Sequence, residues 1–185
     1  MRDPLDSGSD ERLMRATRRG DMDALGQLFE RHHAEVYAYC ARITMDRDAA
    51  ADLLQETFKR VLRYRRSFGA GSRFRPWLFR VARNACRDHF GRTRRRSAAE
   101  GAWMRDGAAV AAGPDELGAN AGLERALARL STDDRELLVL KRLHQMSYPE
   151  LARVLGCSEG AARVRVHRAF HRLRRICEER SGLRT

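Results

Sequence analysis

Every periodic apolar stretch in this chain repeats at the helical interval, and no stretch of four or more residues between turn signals alternates strictly between apolar and polar. A chain without half-buried strands has no sheet to build, so the pattern specifies an all-α fold. Leu25, Leu28, Phe29, His32, Val36, Tyr39, Cys40 and Ile43 follow i, i+3, i+4, i+7 spacing, as do Leu54, Phe58, Val61 and Leu62, which gives two amphipathic helices. A third starts near Pro76, a residue suited to a first helical turn, and aligns Leu78, Val81, Ala82, Ala85 and His89 on one face. Arg80, Arg83, Asn84 and Arg87 fall largely on the other. Ahead of it, residues 67–72 form a glycine-containing loop with one aromatic, Phe68, which either plugs the core or meets a ligand.

The second half carries a more specific signal. Leu123, Ala126, Leu127 and Leu130 mark one helix, and Leu137, Leu138 and Leu143 another. Ser147-Tyr148-Pro149-Glu150 then reads as a capping box opening a short helix that Gly156 stops. Ser158 caps a longer helix whose stripe is Ala162, Val166, Ala169, Phe170, Leu173, Ile176 and Cys177, with Arg163, Val164, Arg165, His167, Arg168 and Arg175 opposite or flanking. A short helix, a turn at glycine and a longer helix with a basic outer face spell helix-turn-helix, a unit that lays its second helix in the major groove of DNA.

Charge supports a polyanionic partner. The chain has 185 residues and a net charge of +12, but residues 59–96 hold 14 basic residues against 1 acidic and residues 141–185 hold 11 against 4, while the remaining segments are net acidic. Uniform solubilising charge would not segregate into two blocks, so two contact surfaces are expected. Between them, residues 97–120 are rich in Ala and Gly with few large apolar residues and read as a linker. The expected organisation is thus a domain over 1–96, a linker over 97–120 and a second domain over 121–185. No window reaches 18 consecutive apolar residues and the first ten residues lack a signal-peptide pattern, so a cytoplasmic protein without membrane insertion is expected. Four cysteines without a CxxC suggest reduced thiols rather than disulfides or a thiolate zinc site.

Asp52-Leu53-Leu54-Gln55-Glu56-Thr57-Phe58, Phe74-Arg75-Pro76-Trp77-Leu78-Phe79-Arg80-Val81-Ala82-Arg83-Asn84, Leu127-Ala128-Arg129-Leu130 and the run from Ser147 to Ala169 resemble the extracytoplasmic-function (ECF) group of bacterial RNA polymerase sigma factors, in order and in spacing. The resemblance implies two small helical domains, sigma region 2 and region 4. It implies that Asp52, Gln55 and Glu56 dock on the β′ clamp helices of core RNA polymerase, and that the β flap is a second contact. It further implies that Phe68, Trp77, Arg80, Arg83, Asn84 and Arg87 meet the minus-10 element, that Arg163, Val164, Arg165, His167 and Arg168 face the minus-35 element, and that an anti-sigma factor regulates the chain. A loop aromatic beside Asn and Arg can stack on and hydrogen-bond an unpaired base, and Arg can pair bidentately with guanine whereas Val164 offers only apolar contact. Trp77, opening an amphipathic helix, also suits a buried structural position.

No enzyme, cofactor or metal is indicated. His32, His33 and Cys40 lack a fourth ligand, Cys86 and His89 sit in a basic helix, and no phosphate-binding glycine loop or nucleophile-base order is present. A stand-alone helix-turn-helix repressor with an effector-binding N-terminal domain is the alternative. The segment from Asp52 to Asn84 argues against it, because a repressor needs no polymerase-docking face joined to a single-strand-binding loop.

Overall fold

The structure, a computed structural model, describes residues 9–99 and 121–181; among these, all regular structure is helical. The chain divides at His89/Phe90 into two compact units. The division falls inside a helix rather than after it. Residues 97–99, which open the expected linker, are the last residues of a long helix. The rest of the linker, 100–120, lies outside the described residues.

In the N-terminal unit, α1 (Asp10–Arg18) precedes α2 (Met22–Thr44), α3 (Arg47–Arg63), a 3-10 turn (Arg65–Ser67) and the part of α4 (Phe74–Ala99) that ends at His89. Asp21 and Asp46 cap α2 and α3 by accepting from the amides of Ala24 and of Asp48 and Ala49. Met45, left-handed at φ 57°, turns the chain between them. The α2 stripe is largely core, with Leu28, Val36, Tyr39 and Cys40 fully buried. Tyr39 meets the edge of Phe79 at 5.4 Å, and the free thiols of Cys40 and Cys86 lie 3.9 Å apart across α2 and α4. Helix α1 is the element that periodicity does not announce, because nine residues bury only Leu13, Met14 and Thr17. Long-range polar ties seat it. His32 Nε2 lies 2.7 Å from Asp10 Oδ2, Glu11 Oε1 accepts from the Phe74 amide at 3.0 Å, and Arg18 Nη1 donates to the Phe68 carbonyl at 2.7 Å.

The C-terminal unit holds α5 (Ala121–Ala128), α6 (Thr132–Leu138) extended by a π-helical turn (Val139–Leu143), α7 (Tyr148–Leu155) and α8 (Glu159–Ser181). Arg135 is 9% exposed and donates to the carbonyls of Leu127, Ala128 and Leu130, filling acceptors that the end of α5 leaves open. Burial pushes its guanidinium pKa below the usual value. Three stripe residues sit differently from expectation. Leu123, Leu143 and Phe170 are each more than two-fifths exposed, because the unit is too small to cover every apolar position of its helices. Phe170 is instead overlaid by the Arg142 guanidinium at 5.3 Å.

Candidate polymerase and nucleic-acid interfaces

Spacing of i, i+3 and i+4 puts Asp52, Gln55 and Glu56 on one side of α3, where Asp52 and Gln55 are exposed. Glu56 is only half-exposed and already engaged. Its Oε1 accepts from Arg60 Nε at 2.6 Å, and Arg60 Nη1 reaches Asp88 of α4 at 2.6 Å. The hydrogen bond from Arg60 holds the Glu56 carboxyl below its ordinary range. The three residues therefore form one face, but Glu56 also ties α3 to α4. Beside Gln55 an open groove of about 490 Å³ is lined by Met22, Leu25 and Phe29 of α2 and by Phe58 and Leu62 of α3. The sequence pattern put Leu25, Phe29, Phe58 and Leu62 on the apolar faces of two helices and gave no sign of this groove. Periodicity marks an apolar face without telling whether another element covers all of it.

The expected minus-10 residues separate into two sets. Phe68 is 1% exposed, edge-on to Trp77 at 5.5 Å and to Phe74 at 6.3 Å. Of the two positions open to Phe68, the ring takes the enclosed one in this structure, because the loop folds inward over the start of α4 and leaves the Phe68 carbonyl to Arg18. Trp77 is buried in the same cluster, the structural position its place in the helix allowed. Arg83 is likewise not on the outer face. It is 6% exposed, lying at the inner edge of the row that Arg80, Asn84 and Arg87 form. Arg80, Asn84 and Arg87 remain together, exposed at i, i+4, i+7 on α4.

In the second unit the capping box is present as read. Ser147 Oγ accepts from the Glu150 amide at 3.4 Å, and Glu150 Oε2 accepts from the Ser147 amide at 2.9 Å. Gly156, left-handed at φ 68°, ends α7, and Ser158 Oγ accepts from the Ala161 amide at 3.2 Å to open α8. Arg163, Val164, His167 and Arg168 are exposed and Arg165 half-buried, so the five share one side of α8. The Arg163 guanidinium lies over the Tyr148 ring at 4.6 Å and donates to Glu159 at 3.1 Å, while Lys141 Nζ approaches the same ring at 4.5 Å. His167 and His171 bring their Nε2 atoms to 3.2 Å. Farther along, a groove of about 770 Å³ runs between α6 and α8, with Leu130, Leu137 and Ile176 in its lining and Arg165, Arg168 and Arg172 among its basic residues. Asp134 accepts from Arg172 through both oxygens at 2.7 Å. Among the described residues no group of three or more His, Cys, Asp or Glu side chains could hold a metal ion, and no helix is long and apolar enough to cross a membrane.

Comparison with known proteins bears on both units. The family model for Sigma-70 region 2 matches residues 28–96 and that for Sigma-70, region 4 matches residues 121–173. The chain is 37% identical to the RNA polymerase sigma factor CarQ of Myxococcus xanthus over 90% of its own length and 96% of CarQ. It is 33% identical to the ECF RNA polymerase sigma factor SigM of Mycobacterium tuberculosis over 91% of its length and 84% of SigM. Among solved structures it is similar to CnrH in complex with the cytosolic domain of CnrY, with a TM-score of 0.69 and 28% identity, covering 92% of this chain and 97% of that one. It is also similar to the sigma factor RpoE of Bartonella quintana in complex with the anti-sigma factor NepR, with a TM-score of 0.67 and 28% identity over 83% and 96% of the two chains. With both sigma regions matched in order and relatives aligned over nearly the whole chain, the protein belongs to the ECF group of RNA polymerase sigma factors.

Proposed function

We propose that this chain binds core RNA polymerase through the α2–α3 face, contacts minus-10 DNA through the exposed row on α4, and reads the minus-35 element through α8, so directing initiation at its own promoters. The observation that carries the reading is the conjunction, on one small unit, of an exposed polar pair beside an apolar groove and a separate basic row. Gln55 borders the groove that Met22, Phe29 and Phe58 line and Asp52 stands one turn before it on α3, a combination suited to a partner helix with one apolar anchor and basic or amide neighbours. Arg80, Asn84 and Arg87 supply charge and edge-directed hydrogen bonds to a separated strand. Phe68 and Trp77 contribute by holding the preceding loop rather than by stacking.

On the second unit, the groove between α6 and α8 suits a helix of the β flap, apolar along its buried side and acidic at its rim, because arginines stand beside the apolar lining. The exposure of Arg163, Val164, His167 and Arg168 on the second helix of a capped, glycine-stopped helix-turn-helix supports their contact with the major groove. The chain itself performs no bond-making step. Nucleotide addition belongs to the polymerase, and the site of action is the cytosol where the DNA lies. An anti-sigma factor is expected to compete for these faces, since RpoE, a structural neighbour, was solved with one. Run-off transcription with core polymerase and genomic fragments tests the reading. Discrete transcripts that require the chain are expected; promoter-independent retention of DNA without transcripts would favour the repressor alternative.

A further inference from the structure

His167 and His171 stand one helical turn apart on the outer side of α8, both exposed. Their rings are 4.4 Å apart between centroids at an interplanar angle of 63°, and their Nε2 atoms approach to 3.2 Å. Two imidazole nitrogens bound to one tetrahedral zinc ion at the usual distance of about 2.0–2.1 Å stand about 3.3 Å apart. We propose that His167 and His171 form a two-imidazole site for a borderline divalent cation of the zinc type.

The hydrogen bond that this spacing also permits uses one Nε2 proton and one lone pair. In the metal-bound form both rings carry their proton on Nδ1, both Nε2 lone pairs turn to the ion, and no net proton leaves the pair. Water occupies the remaining positions, for which the exposed face leaves room. Two of the flanking guanidiniums are offset by carboxylates, while Arg168 and Arg175 are exposed beside the pair. Arg163 is paired with Glu159 at 3.1 Å and Arg174 with Glu178 at 2.6 Å, so carboxylates on the turns before and after the histidines offset these two. Imidazole is a good donor for zinc, copper and nickel, and two of them without a third protein ligand make a site that responds to metal concentration rather than one that holds metal permanently.

The consequence for DNA rests on the reading of α8 given above. An ion on Nε2 of His167 takes that atom out of reach of a base edge and sets a hydrated ion on the surface that would enter the groove, so loading weakens selective duplex binding.

The test is a zinc titration of the reduced full chain against a chromophoric chelator, comparing the parent protein with His171→Ala and Cys177→Ser. Loss of a directly ligating nitrogen is expected to weaken zinc at least about tenfold, as even outer-shell losses can, with helicity by circular dichroism unchanged. Cys177→Ser should leave affinity as it was, and histidine ring proton resonances of the parent should shift on adding zinc. Equal affinity in parent and His171→Ala, or loss of binding in Cys177→Ser, would overturn the site. In a second arm, retention of a randomised duplex pool should fall with zinc for the parent and not for His171→Ala. Absence of retention in zinc-free protein would overturn the DNA reading while leaving the metal site standing.

Discussion

Phe68 and His32 illustrate how single side chains hold the N-terminal unit. Phe68 is 1% exposed against Trp77 and Phe74, so Phe68→Ala is expected to cost about 3–5 kcal/mol, whereas Phe68→Leu, which keeps most of the volume, should cost less than about 1.5 kcal/mol. Urea unfolding measures both; a free energy for Phe68→Ala within error of the parent would contradict the buried position. His32 is nearly buried, which disfavours its charge, yet the hydrogen bond to Asp10 and the Glu35 carboxylate 3.8 Å from its Nδ1 outweigh burial and raise its pKa to about 9 from an ordinary 6.5. For Asp10, burial alone would raise the pKa, and the His32 and Arg31 contacts lower it instead. The sign follows from linkage. The stabilisation from His32 is complete below pH 6.5 and is lost as pH rises through 9, and that from Asp10 is present above its ordinary 3.8 and lost as pH falls beneath it. Melting temperature of the parent should thus decline between pH 6.5 and 9 relative to His32→Gln, by a margin equivalent to about 2–3 kcal/mol. Parallel profiles for the two proteins would refute the linkage.

At the scale of elements, α7 and α8 are fixed by caps and a glycine stop, which leaves the outer side of α8 free of structural duty. Ser147→Ala should therefore cost about 1 kcal/mol of stability, while Arg168→Ala should leave stability within about 0.5 kcal/mol and act on binding. If Arg168 pairs with a guanine, binding weakens by about 1–3 kcal/mol with relaxed preference at one position; if it meets phosphate, binding weakens for all sequences and the salt slope becomes shallower by about one. Arg163 carries an additional constraint because it also lies over Tyr148 and beside Glu159. Its replacement by Ala should lower both duplex affinity and, slightly, the melting temperature. Single-base substitutions in minus-35 duplexes at fixed salt separate these outcomes, and unchanged base preference in both arginine variants would exclude direct readout by either.

For the molecule as a whole, clamp-helix docking and minus-35 binding are assigned to different compact units, so damage to the docking face of α3 should spare duplex binding. Asp52→Arg combined with Gln55→Arg reverses or adds charge at two exposed positions and leaves the Glu56–Arg60–Asp88 ties in place. This variant is expected to lose core polymerase in gel filtration at least about tenfold, since like charges set against a complementary face cost several kcal/mol. Its circular dichroism and duplex binding should match the parent. Retained core affinity would remove the docking assignment, and a Glu56→Arg variant would not serve as well because it breaks an internal tie.

By itself the sequence determined what local chemistry controls. Helical periodicity, the Asp and Ser caps, the capping box at Ser147 and the stop at Gly156 depend on residues within a turn or two, and these placed the amphipathic helices and the helix-turn-helix. It also located the exposed sets, Asp52 with Gln55 and Arg163 with Arg168, because an apolar stripe fixes its opposite side. Tertiary structure decided what depends on partners far along the chain. Nothing near Phe68 says that Arg18, Trp77 and Phe74 will enclose it; nothing near α1 says that His32 and Phe74 will hold it. Whether an apolar face such as that of Phe29 and Phe58 is covered or left as a groove, and whether Arg83 turns in or out, is set by the packing of whole helices, and periodicity along one helix carries no information about its neighbours.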